Sequence, residues 1–218
     1  MERIRSVVVF FLFTYPVGLV IGIGFWLLRL VGVLKVKGWG NFPHWRQRVL
    51  VVSNHPSLVE PILLTGLFFH QYVLRPFKYG PWTLADRRNY YDRYPILRSK
   101  LIPVDRTRAG DPGSLVAAKQ VLESGGNLIV FPEGGRTFKG TSFLESRSGR
   151  KMRPLKEGFA FLAVETNAVL LPLWFEGSFR SGMRIAIGEA MIFTGGTPRN
   201  EVVEITERIL LELADKTN

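Results

Sequence analysis

The stretch Asn54-His55-Pro56-Ser57-Leu58-Val59-Glu60 sets an imidazole in a turn and a carboxylate five positions later, in the first turns of a helix-forming run. A carboxylate that accepts a hydrogen bond from one ring nitrogen fixes the tautomer and leaves the other nitrogen as a general base for a hydroxyl. The same pattern suits an ordinary helix start, in which Ser57 caps the first turn and Glu60 offsets the helix dipole. Ser57 lacks a Gly-x-Ser-x-Gly elbow, so capping explains it more simply than nucleophilic attack does.

Three further stretches bring polar groups to the ends of apolar runs. Val130-Phe131-Pro132-Glu133-Gly134-Gly135-Arg136-Thr137 breaks into a Gly-rich turn carrying one acid and one arginine. Glycines let the backbone approach a ligand closely, and the guanidinium fork matches a phosphate. A plain turn with a solvated ion pair would read the same way. Ile102-Pro103-Val104-Asp105-Arg106 delivers a second arginine, and Val169-Leu170-Leu171-Pro172-Leu173, preceded by Lys156-Glu157-Gly158, puts a proline in a buried strand. Arg147, Arg150, Lys151, Arg153 and Lys156 crowd a loop rich in Gly and Ser, a cluster that suits phosphates of a donor or acceptor and equally a solvated or lipid-facing surface.

Composition removes several chemistries. There is no cysteine, which excludes disulfides, thiolate metal sites and an acyl-cysteine intermediate. The three histidines, His44, His55 and His70, share no metal-binding spacing, so neither a catalytic metal nor a cofactor is expected. A net charge of +11 favours an anionic partner. With a hydrophobic fraction of 46% and 16 Phe, that partner is expected to be membrane lipid. No zinc-finger, RRM or GXXG pattern supports nucleic-acid binding.

Alternating apolar runs must hold these groups together. Short β-branched stretches predict strands at 48–53, 72–75, 101–104, 127–131, 169–174 and 184–187. Helical patterns fit 57–69, 90–99, 114–123, 155–166 and 201–214. Such alternation predicts an α/β fold: a single domain with a mixed, largely parallel sheet flanked by helices, carrying its sites at strand ends.

Ahead of that domain, 6–28 is a run of 23 residues without a charge. At about 1.5 Å per residue it just spans a ~30 Å hydrocarbon core. Pro16, Gly18, Gly22 and Gly24 suit equally well a kinked segment that dips in and returns. The expected organisation is an N-terminal hydrophobic membrane-anchoring helical segment at 1–34 and a catalytic domain at 35–218. The basic residues after the run place the domain on the cytoplasmic face of the cell (inner) membrane. The Gly18-x3-Gly22 spacing alone is a weak dimerisation signal and carries no weight.

Taken in order, the four blocks resemble those of the glycerolipid acyltransferase family, to which the 1-acylglycerol-3-phosphate acyltransferases belong, over 35–189. The resemblance implies His55 as the base and Glu60 as its orienting acid. It implies substrate-binding positions at Asn54, Arg106, Glu133, Gly134, Gly135, Arg136 and Lys156, with Pro172 shaping a pocket. The partners it implies are acyl-CoA or acyl carrier protein as donor, a lysophospholipid acceptor and membrane lipids, with no nucleic acid. Two positions depart from the pattern. Glu60 stands for the usual Asp, which also resembles members that acylate lipid A precursors. Gly135 stands for a common Thr, so backbone N–H groups or Thr137 must supply whatever that hydroxyl does for phosphate. Acylation of another lipid acceptor, an aminolipid or a lipid A precursor, and lipid hydrolysis by the same dyad are the alternatives.

Overall fold

A computed structural model describes residues 7–8, 10–44, 47–105, 107 and 111–217. Seven strands form one sheet in the order β1-β9-β8-β2-β5-β3-β4: β1 (Leu34–Lys37), β2 (Val49–Ser53), β3 (Trp82–Asp86), β4 (Leu101–Val104), β5 (Leu128–Val130), β8 (Val169–Ser178) and β9 (Gly182–Ile187). Every neighbouring pair is parallel except β8 with β9, so the sheet is mixed and largely parallel, as expected. A small hairpin, β6 (Leu144–Glu145) and β7 (Lys151–Met152), stands apart.

Both faces of the sheet are covered, which is why its strands read as continuous apolar runs. In β2, Leu50 and Val52 face a core shared with α5 (Pro112–Glu123), α6 (Gly158–Thr166) and α7 (Arg199–Lys216) through Ala118, Leu122, Phe159 and Leu210. Val49 and Val51 face the other side, against Phe25, Leu63, Leu64 and Phe68. Those residues belong to α1 (Tyr15–Leu30), α2 (Glu60–Leu63) and the 3-10 turns Leu64–Phe68. The period-two pleat of each strand therefore divides two cores.

The apolar amino-terminal helix α1 does not stand free. Gly18 and Gly22 meet Tyr72 and Phe69, where an added Cβ would come within 2.3 Å and 2.0 Å of those rings, and Phe25 lies as closely on Gly66. The Tyr72 hydroxyl donates to Thr14 O at 2.9 Å, and the Thr14 hydroxyl donates in turn to Ile96 O. Val20, Ile23, Leu27 and Leu30 remain exposed on the side away from the domain.

Several local expectations need correction. Residues 72–75, expected as a strand, mostly close α3 (Phe69–Leu74), because seating Tyr72 under α1 outweighs its β-propensity. The helix expected over 57–69 starts only at Glu60 and tightens into 3-10 turns, and Ser57 is not its cap. The helix expected at 90–99 splits into a π-helical turn, Arg87–Tyr91, and a 3-10 helix, Pro95–Lys100, at a proline that has no N–H to continue the ladder. Leu155 and Lys156 precede α6 instead of opening it, since their N–H groups bond to Glu207 and to Pro132 O. Strands β1 and β3 lie outside the expected set, one a four-residue edge strand carrying two lysines and the other a stretch without a β-branched run. The helix α4 (Pro76–Tyr79) precedes β3.

Candidate active site

Parallel pairing puts the carboxyl ends of β2, β5, β3 and β4 on one side of the sheet. The chain leaves β2 into the His55 turn and β5 into the Glu133–Arg136 turn, so the first and third blocks meet there, as parallel α/β sheets dictate. Arg106 lies outside the described residues, just past the end of β4.

His55 Nδ1 and Glu60 Oε1 share a short hydrogen bond. Glu60 is fully buried and both of its oxygens are engaged: Oε1 also accepts from Ser57 N–H at 3.0 Å, and Oε2 accepts from the Ser57 hydroxyl. Burial pushes the Glu60 carboxyl up, but these bonds more than offset it and hold the group below its ordinary range. The imidazole lies against the Phe131 ring, 4.8 Å between centroids, and its side chain is 15% exposed. Nε2 is thus the nitrogen not engaged by Glu60, on a ring held from two sides.

Glu133 is also buried, and its carboxylate gathers three separate stretches. Oε1 accepts from His55 N–H at 2.7 Å and from the Thr137 hydroxyl at 2.8 Å, while Oε2 accepts from Arg153 N–H at 2.9 Å. Thr137 N–H closes the knot by donating to His55 O at 2.8 Å. Burial raises the Glu133 carboxyl despite these donors. Asn54 is engaged with the sheet: Nδ2 donates to Phe175 O at 2.9 Å and Oδ1 accepts from Phe175 N–H at 2.8 Å. That pair pins the His55 turn to β8 beyond the point where the strands part.

Gly134 adopts φ 68°, the left-handed region that favours glycine, and Lys156 crosses its open side, with Nζ 2.8 Å from where a Cβ would be. Gly135 completes the turn and Arg136 follows, its guanidinium 4.9 Å from the Phe138 ring centroid. Lys156 and Arg136 therefore flank one turn. The rest of the basic loop is more occupied. Arg150 pairs with Glu176 at 3.1 Å, Lys151 with Glu145 at 3.7 Å, and Arg153 packs on Gly140. Pro172 sits inside β8 opposite Val52, with its ring near Gly188.

Two positioning residues escape a reading of the sequence. Ser57 looks like a cap and is instead the second donor to Glu60. Thr137 looks like a phosphate donor and instead bonds Glu133. The only sequence signal for either is a hydroxyl three or four positions from an acid.

Compared with known proteins, residues 33–176 match the family described as Acyltransferase. The 1-acyl-sn-glycerol-3-phosphate acyltransferase of Limnanthes douglasii is 26% identical over 177 residues, covering 72% of this chain and 53% of that protein. The protein of the same name from Pseudomonas aeruginosa is 28% identical over 193 residues, covering 84% of this chain and 69% of its own. The chain thus spans about half the length of the plant relative. The crystal structure of the 1-acyl-sn-glycerophosphate (LPA) acyltransferase from Thermotoga maritima shares the fold, with a TM-score of 0.62 at 20% identity over 84% of this chain and 71% of that one.

Proposed function

Because this chain belongs to the acyltransferase family, we propose that it moves a fatty acyl group from a thioester donor, acyl-CoA or acyl carrier protein, to the free hydroxyl of a lysophospholipid, 1-acylglycerol-3-phosphate. The observation that carries this reading is the His55–Glu60 pair, in which a carboxylate with both oxygens engaged holds Nδ1 and leaves Nε2 as the acceptor. In this mechanism His55 Nε2 takes the proton of the acceptor hydroxyl as that oxygen attacks the thioester carbonyl. The tetrahedral intermediate collapses with cleavage of the C–S bond, and the imidazolium returns its proton to the departing thiolate. Glu60 stabilises the imidazolium, and Glu133 positions His55 through the backbone. Arg136 and Lys156, on either side of the Gly134 turn, are assigned to the acceptor phosphate, together with Arg106.

The names of the relatives support this acceptor. Membrane association is part of the same proposal. Phe10–Leu30 is a 21-residue apolar helical stretch whose contacts with the domain run from Phe10 to Arg29. A helix held lengthwise in this way favours lying in one leaflet over crossing the bilayer, because crossing would drag the charged 3-10 helix Pro95–Lys100 into hydrocarbon.

An acceptor screen tests the proposal. The purified full chain, in mixed micelles with acyl-CoA or acyl carrier protein donors, is offered lysophosphatidate, a lysoaminolipid and a lipid A precursor. Diacylated phosphatidate should form with wild type and fall by ~10²–10⁴ in a folded His55→Ala variant. Free fatty acid released at the same rate without acceptor would make the protein a hydrolase instead.

A further inference from the structure

Between β3 and β4 the chain runs back across the sheet edge through Arg87–Tyr91 and Pro95–Lys100, two elements with no role in the site described above. Positions 87–100 carry five basic residues, one acid and three tyrosines. The single acid, Asp92, faces Arg98, whose Nε also donates to Tyr91 O. Arg87, Arg88 and Arg93 are exposed. Beside them Tyr90 and Tyr94 are 39% and 42% exposed, followed by Ile96 at 43%.

This stretch adjoins the apolar helix. The Thr14 hydroxyl bonds to Ile96 O and lies 2.7 Å from the Ser99 hydroxyl, and Lys100 Nζ sits 5.8 Å from the Phe10 ring centroid while donating to Phe77 O and Gly80 O. Exposed Leu74 and Phe77 continue the apolar surface from the helix side. Arginines interleaved with half-exposed tyrosines beside an apolar surface are the composition of the lipid headgroup layer, where amphipathic rings rest and cations meet phosphates.

We infer that the collar Arg87–Lys100 is a second membrane contact that reads anionic phospholipid headgroups, separate from acceptor binding. The inference rests on the proposed membrane association of α1, which supplies the adjoining apolar contact. The apolar helix gives affinity for any bilayer. The collar adds affinity in proportion to the anionic lipid present and sets the carboxyl end of β3, the sheet end that carries His55, beside the surface.

Vesicle co-sedimentation of the full chain separates the two contacts. Wild type should bind phosphatidylcholine vesicles, bind more tightly when phosphatidylglycerol is included, and lose that gain as salt is raised. The variant Arg87→Gln/Arg88→Gln/Arg93→Gln should keep the neutral-vesicle binding and lose the anionic gain, roughly fivefold per arginine and on the order of a hundredfold for three. The corresponding triple Glu variant should lose more, and both should retain wild-type turnover on detergent-dispersed substrate. If the Gln variant keeps the anionic gain, or wild type shows none while still binding neutral vesicles, the collar inference falls and the membrane reading stands. If wild type binds neither vesicle, both fall. Loss of single-stranded RNA binding with vesicle binding unchanged would make the collar a nucleic-acid surface and overturn the inference.

Discussion

At the scale of single residues, the site is an arrangement of acceptors. Glu60 receives three hydrogen bonds and Glu133 three, so each carboxylate is fixed before any ligand arrives. The two acids then differ in what they hold, the imidazole ring for Glu60 and the backbone of the same residue for Glu133. Glu60→Gln should therefore be worse than Glu60→Asp, because Gln turns a donor toward groups that are themselves donors and removes the charge that stabilises the imidazolium. Turnover of the two variants in micelles checks this, and equal activity would leave Glu60 only a helix-start residue. The same bonds predict a pH dependence. Since they hold Glu60 below its ordinary value of 4.5, its contribution to stability is complete above that value and is lost as pH falls through the lower folded one. Acid unfolding of Glu60→Gln should lack that component. For Arg136, Lys keeps the charge but not the fork, so Arg136→Lys should raise KM for a phosphate-bearing acceptor more than for the thioester donor. The pairing of His55 with Glu60 was legible because a carboxylate five positions past a turn histidine can fold back onto its ring, whereas their proposed roles rest on the order of the four blocks. The inward direction of the Glu133 carboxylate was not, since spacing says nothing about which side of a turn becomes buried.

At the scale of elements, the central strands β2, β5 and β8 were readable because burial on both faces makes them continuous apolar runs. The stretch from Ser57 to Leu74 departs from its sequence pattern in several places for one physical reason: short helical pieces there take their form from what lies on top of them. Tyr72 is helical because it packs under Gly18, and Gly66 accepts the ring of Phe25. The Gly18-x3-Gly22 spacing is accordingly an intramolecular docking surface. Gly18→Val should destabilise the fold by roughly 1–3 kcal/mol, because the Tyr72 ring it would strike is tethered by its hydroxyl and cannot retreat. At Gly24 an added Cβ would meet nothing within 4 Å, so Gly24→Ala in the same helix should stabilise by roughly 0.5–1 kcal/mol. Thermal unfolding of the pair checks both signs, and a similar gain in the two would mean that helix propensity, not docking, dominates.

At the scale of the whole molecule, the division into 1–34 and 35–218 is one of composition more than of packing. Phe25 shares a core with Leu63, Leu64, Leu67 and Phe68, none of them more than 5% exposed. Removing residues 1–34 should leave every proposed site residue in place yet uncover that face, giving a domain that aggregates without detergent and binds vesicles less firmly. Light scattering and flotation measure the two effects. A truncated domain that stays monodisperse in plain buffer would show that the rest of the fold closes over the gap. The same packing has a kinetic consequence. The apolar helix rests on the turns that follow Glu60 directly, so the dyad and the exposed apolar face of that helix belong to one packed layer. With the proposed membrane association, such an enzyme would sample its acceptor by lateral diffusion in two dimensions. Its rate should then follow the mole fraction of acceptor in the lipid phase, and adding inert lipid at constant bulk acceptor should slow it by surface dilution.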